Sequence, residues 1–117
     1  MCGIFGIIAP EAVNKKDLKL LAKHAQQRGK DSSGLIFLKE NQFQICRADY
    51  NIDKLLNKIK LYHSPIVLGH SRLITNGLAD NQPVVRDDVF VLHNGIIIND
   101  EEIWQTLSVE KKYQIDS

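Results

Sequence analysis

Met1-Cys2-Gly3-Ile4-Phe5-Gly6-Ile7-Ile8-Ala9-Pro10 opens the chain with a thiol, a glycine and a short apolar run that a proline ends. A run of this length bounded by Pro10 predicts a buried strand over Gly3–Ala9, with Cys2 at the lip of a sheet. Because residue 2 is small, Met1 is open to removal, which leaves a thiol and a free α-amine on the same residue. With a reference pKa of about 7.7–8.0, a useful fraction of that amine is unprotonated near neutral pH and can take the thiol proton. On position alone Cys2 is only a small residue at a chain start. Gly3 and the strand behind it single it out, since the glycine leaves room for a substrate beside the thiol and the strand holds the pair rigidly.

Downstream of the strand, Leu18, Leu21, Ala22 and Ala25 recur at helical spacing, predicting an amphipathic helix over Asp17–Arg28 with Gly29 as its C-cap. Gly34–Lys39 and Gln42–Ala48 read as a β-hairpin turning at Glu40 and Asn41. Ile52, Leu55, Leu56 and Ile59 share one face of a second helix over Asp53–Leu61, capped by Asn51 or Asp53. Pro65–His70 and Val89–His93 read as core strands that deliver polar residues at their ends, where chemistry is usually placed. Asn99, followed by Glu102, has the form of a capping box for a short helix carrying Ile103 and Leu107.

Three polar clusters sit where these apolar runs stop. His93-Asn94-Gly95 offers a side-chain amide and a backbone N–H, a donor pair suited to the oxyanion formed when a thiolate attacks an amide. Asn-Gly is also the commonest tight-turn dipeptide, so the cluster reads equally as a plain hairpin turn. Gly69-His70-Ser71-Arg72 ends another strand, and the Arg72 fork suits a carboxylate held at an exposed strand end, with Thr75 and Asn76 nearby as neutral hydrogen-bonding groups. Arg28-Gly29-Lys30-Asp31-Ser32-Ser33-Gly34 is a turn whose Asp31 and serines bind nearby backbone and shape the floor of a site. Cys46, in an alternating strand, reads as a small buried hydrophobe.

Composition narrows the classes. The 117 residues suit one core rather than two domains. Fifteen Lys and Arg nearly cancel fourteen Asp and Glu, and the two signs are interspersed, so neither nucleic acid nor a membrane surface is an expected partner. Apolar stretches are too short to cross a bilayer and no leader pattern is present, which predicts a cytoplasmic protein. Cys2 and Cys46 are expected to be free thiols, and neither they nor His24, His63, His70 and His93 have metal-site spacing.

Met1-Cys2-Gly3-Ile4-Phe5-Gly6-Ile7, Arg28-Gly29-Lys30-Asp31-Ser32-Ser33-Gly34, His70-Ser71-Arg72 and His93-Asn94-Gly95-Ile96-Ile97 occur in the order seen in class II glutamine amidotransferases. Across its whole length the chain resembles their N-terminal-nucleophile glutaminase domain, that of glucosamine-6-phosphate synthase in particular. The resemblance implies an α+β fold, a four-layer αββα sandwich truncated at its C-terminal side, with residues 1–117 as the N-terminal part of the glutaminase domain and the acceptor domain absent. It implies that Cys2 is the nucleophile, Asn94 and Gly95 the oxyanion hole, and that Arg72, Thr75, Asn76 and Asp116 bind glutamine. Asp116, silent by itself, would receive the α-ammonium. No cofactor is implied, and any homo-oligomer would form through the missing part. Thr75-Asn76-Gly77 favours a sugar-phosphate acceptor and amino sugar biosynthesis. Arg72-Leu73 and Asn81-Gln82-Pro83 lend support to an asparagine synthetase-like, ATP-dependent partner domain. A non-catalytic module of the same fold is the third expectation.

Overall fold

A computed structural model describes residues 2–73 and 82–107. The opening apolar run forms β1 (Gly3–Ile8). It is followed by α1 (Lys15–Gln26), which starts before the predicted Asp17 because Asn14 is its N-cap. Asn14 Oδ1 accepts the backbone N–H groups of Lys16 at 2.9 Å and Asp17 at 3.2 Å, satisfying donors that a helix start leaves open. The helix also ends earlier than the predicted Arg28, and Gly29 is not its C-cap: Gln27 takes that place with φ −62°. Tertiary packing explains the glycine instead, since a Cβ on Gly29 would stand 2.2 Å from the Leu73 nitrogen.

Next come β2 (Ser32–Lys39) and β3 (Gln42–Ala48), paired antiparallel from Ser33↔Ala48 to Lys39↔Gln42. Their turn matches the sequence reading: Glu40 and Asn41 have φ of 50° and 64°, the left-handed pair that tight hairpins require. α2 (Ile52–Lys58) is capped by Asn51, whose Oδ1 accepts Lys54 N–H at 2.9 Å. β4 (Ile66–Arg72) runs past the predicted His70, so Arg72 lies within the strand. β5 (Val84–Arg86) was not anticipated; it pairs with β6 (Val89–Val91) around Asp87, and β6 stops short of the predicted His93. In α3 (Asp100–Thr106) the expected capping box is not formed, because the Asn99 side chain makes no cap hydrogen bond.

Four strands make one antiparallel sheet in the order β1-β4-β2-β3, and β5 and β6 make a second of two strands. The α+β class with antiparallel sheets is therefore as expected. Strand alternation gives the larger sheet two faces. Phe5, Leu35, Phe37 and Val67 meet Leu18, Ala22 and Ala25 of α1 and Ile52, Leu55 and Leu56 of α2 in the core. Burying each of the larger apolar side chains contributes about 1.5–3 kcal/mol. The opposite face carries Leu68, Ile36 and Ile45 in register, with Ile4 on β1 opposite His70. Part of it lies under the β5–β6 hairpin: the Phe43 and Phe90 rings meet edge to face at 5.2 Å, and Arg47 donates from Nε and Nη2 to Pro83 O at 3.0 and 2.6 Å.

Candidate active site

At one end of the larger sheet β1 begins, β4 ends and β2 begins. Register fixes the meeting, pairing Gly3 with Ser71, Ser33 with Ser71, and Ser32 with Arg72. Cys2, one residue before Gly3, therefore stands at the same sheet end as Arg72. It is held there from below, because α1 presses on β1 so closely that a Cβ on Gly3 would stand 2.4 Å from Ala25 O. This revises the sequence reading of Gly3. The space beside its α-carbon belongs to a helix, not to a substrate. The 28–34 turn is tied to the same end: Asp31 N–H donates to Arg72 O at 2.9 Å, Ser71 Oγ donates to Gly29 O, and Ser33 Oγ donates to Tyr50 O at 2.7 Å.

Asn94 reaches this end from the far side of the sequence. The Cys2 backbone N–H donates to Asn94 Oδ1 at 3.2 Å, a contact between residues 92 positions apart. With Oδ1 facing a donor, the Asn94 Nδ2 hydrogens remain for another acceptor. Thus His93-Asn94-Gly95 is not a plain hairpin turn; the tight turn of this hairpin is at Asp87, and Asn94 lies beyond the end of β6. Gly95 follows with φ +156°, a backbone that side-chain-bearing residues rarely adopt. Cys2 itself is buried, at 6% exposure.

Arg72 corrects a second expectation, that of an exposed strand end, for it is only 2% exposed. Its burial follows from its place inside β4, paired with Ser32 of the central strand β2. A guanidinium in such a place needs partners for its five N–H groups. Thr75, Asn76 and Asp116 lie outside the described residues. Cys46 is on β3 opposite Leu35, packed against the core, and burial pushes its thiol pKa up. Among the described residues no group of three His, Cys, Asp or Glu is arranged to hold a metal ion, and no helix is long and apolar enough to cross a membrane.

An apolar concavity lies elsewhere. The cleft of about 670 Å³ between β1, β4 and the hairpin is lined by Ile4, Ile8, Ile36, Leu68, Phe90 and Leu92 and belongs to the apolar sheet face. Neither Cys2, Asn94 nor Arg72 lines it, and its walls offer no nucleophile. The sequence reading took Gln82 only as part of Asn81-Gln82-Pro83, a pointer to the acceptor, and gave it no place in the site. Gln82 is buried and bonded to the backbone of His93, and the available signal was a polar residue next to Pro83 at the edge of an apolar segment.

Known proteins are similar to the chain in sequence. The chain is 35% identical over 94% of its length to the glutamine–fructose-6-phosphate aminotransferase (isomerizing) of Agrobacterium fabrum, and 32% identical over 92% to the protein of that name from Pyrococcus horikoshii. This chain belongs to the glutamine amidotransferase family. It spans about a fifth of those relatives, 19% of the length of each. The 7-cyano-7-deazaguanine synthase of Saccharolobus solfataricus is also similar, at 30% identity over the whole chain and 28% of its own length. No family model matches the sequence, and no solved structure matches the fold.

Proposed function

We propose that the protein hydrolyses the side-chain amide of glutamine at Cys2 and delivers the ammonia to an acceptor, most simply a sugar phosphate as in glucosamine-6-phosphate synthase. The observation that carries this reading is the 3.2 Å contact between the Cys2 nitrogen and Asn94 Oδ1. Once Met1 is removed that nitrogen is the α-amine, and an amide oxygen beside it orients its lone pair toward the thiol. The amine takes the thiol proton, and the thiolate attacks the glutamine carboxamide carbon. Negative charge then develops on the carboxamide oxygen, where Asn94 Nδ2 and the Gly95 N–H are the donors. The α-ammonium gives its proton to the amide nitrogen as collapse breaks the C–N bond, and ammonia leaves. Water attacks the remaining glutamyl thioester, releasing glutamate and restoring the thiol.

Substrate selection falls to Arg72 for the α-carboxylate, with Thr75 and Asn76 beside it, and to Asp116 for the α-ammonium. The place of Arg72 supports that role, since it ends β4 at the sheet end where Cys2 stands. No cofactor takes part in this half-reaction. The finer architecture goes with the reading: a four-layer αββα sandwich of the N-terminal-nucleophile type, in which residues 1–117 are one part, working in the cytoplasm beside an acceptor domain.

A second reading keeps the glutaminase and changes the acceptor. It is favoured by the likeness to a 7-cyano-7-deazaguanine synthase, since relatives with differently named reactions share this segment. An asparagine synthetase-like, ATP-dependent acceptor part falls under it. A third reading, a catalytically silent module of the same fold, is separated from both by one experiment. The N-terminus of the purified protein is defined by mass spectrometry, and ammonia release from glutamine is measured for wild type and Cys2→Ala. Ammonia released by the Met1-free wild type and not by Cys2→Ala supports catalysis. Equal background release by both overturns it.

A further inference from the structure

The β5–β6 ladder closes on the pair Val84↔Val91, and continuing that register sets Gln82 opposite His93. Backbone pairing cannot continue past Val84 in the usual way, because Pro83 has no N–H to donate and its carbonyl already accepts from Arg47. The side chain of Gln82 takes over. Its Nε2 donates to His93 O at 3.1 Å and its Oε1 accepts from His93 N–H at 2.6 Å, so one carboxamide supplies both bonds that a facing strand residue would make. Gln82 is 5% exposed, and in such a place a polar side chain with its partners in hand is stiff.

His93 is the residue before Asn94. Asn94 is itself exposed, so packing does little to hold it; its position depends on the peptide it hangs from and on the contact with Cys2. We propose that Gln82 is a positioning residue for the glutaminase reaction: by clamping the His93 peptide it sets where the Asn94 amide and the Gly95 N–H stand relative to Cys2. This rests on the roles given to Cys2 and Asn94 above. Oxyanion donors act only when they stand at hydrogen-bond distance from the place where charge develops, and a misplacement of about 1 Å costs on the order of a hundredfold in rate. Gln82 touches neither the thiol nor the carbonyl in this account. It works through the backbone, and its loss is felt in the transition state more than in the binding of glutamine.

The test uses the full-length protein with Gln82→Met, which keeps the length and loses both bonds, and Gln82→Glu, which keeps an acceptor for His93 N–H and loses the donor to His93 O. Glutamine hydrolysis is measured per reactive Cys2, counted by titration to completion with an electrophilic glutamine analogue, so that misfolded molecules do not enter kcat. We expect kcat to fall about ten- to a hundredfold in Gln82→Met, with KM for glutamine within about threefold, the split that marks an interaction made in the transition state. Gln82→Glu should fall between Met and wild type. In an Asn94→Ala background the same Gln82→Met change should lower kcat by clearly less than in the wild-type background, because only the Gly95 N–H is left for Gln82 to place. A kcat per site within twofold of wild type in both single variants overturns the proposal. So does a loss that multiplies in full with that of Asn94→Ala, which is what a purely structural strut would give. A wild-type protein in which no Cys2 can be titrated overturns the glutaminase reading and this proposal with it, whereas a reactive Cys2 with indifferent Gln82 variants removes this proposal alone.

Discussion

Gly3→Ala tests whether the glycine beside the nucleophile serves the fold or the substrate. The added Cβ would stand 2.4 Å from Ala25 O, 2.7 Å from Ala25 Cα and 2.8 Å from Ala25 C. All three are backbone atoms of α1, which cannot turn aside as the end of a side chain can. Ordinary contact begins near 3.4 Å, so α1 and β1 have to separate by about 1 Å, and overpacking of this kind costs about 1–3 kcal/mol. With a urea m-value of about 1–3 kcal/mol/M, the unfolding midpoint should fall by on the order of 1 M. The same displacement is carried into the site, since Cys2 is the next residue and its nitrogen lies 3.2 Å from Asn94 Oδ1. Stability and kcat should therefore fall together, and shortening the Ala25 side chain should restore neither, because the clashing atoms are backbone. The reasoning is refuted if Gly3→Ala unfolds within about 0.5 kcal/mol of wild type, a range usual for surface changes, while glutamine KM rises. That pattern would mean the glycine makes room for a ligand after all.

Asn94→Ala should lower kcat for glutamine hydrolysis by about 10²–10³, the usual loss for one oxyanion donor, and should leave the unfolding midpoint nearly unchanged because the side chain is exposed; a rate within fivefold of wild type would deny it the role. Arg72→Lys should raise the glutamine KM at least tenfold and also destabilise the protein by about 1–3 kcal/mol, since a lysine cannot satisfy the partners of a guanidinium buried to this degree. Unchanged KM with reduced stability would make Arg72 a structural residue only. Because burial raises the Cys46 pKa, its thiolate is scarcer than that of an ordinary cysteine at any given pH, and alkylation at pH 8 should be slower than for a free cysteine and quicken as pH rises. Peptide mapping after timed iodoacetamide treatment reads that rate directly, and Cys46→Ala should leave ammonia release unaltered.

Elements carried by local signals were legible. The apolar run before Pro10, the positive-φ pair Glu40 and Asn41, and the Asn51 cap each act through residues a few positions apart, and each appears in the structure nearly as read. Where the reading slipped, a distant part of the chain decided the matter. Gly29 resembles a helix stop but makes room for the end of β4, and Gly3 resembles an opening for substrate but makes room for α1. Arg72 looked exposed because a strand end usually is, yet the pairing of β4 with β2 encloses it. Asn99 and Glu102 have the spacing of a capping box, and the Asn99 backbone, at φ −119° and ψ 32°, does not present the side chain to the helix start. The site followed the same division. Cys2 and Asn94 were nameable from motif order, but their contact is a property of the folded sheet, and the tie of Gln82 to His93 became visible only in the β5–β6 register.

Labelling at the second residue tests the central claim most directly. The full-length protein, its N-terminus defined by intact mass, is incubated with a diazoketone analogue of glutamine and the modified position is located by peptide mapping. The account predicts one adduct per chain, on the sulfur of Cys2 in molecules that have lost Met1, with none in Cys2→Ala and with protection by added glutamine. An unmodified Cys2 in correctly trimmed, folded protein, or an adduct that forms equally well on Cys46, would contradict it.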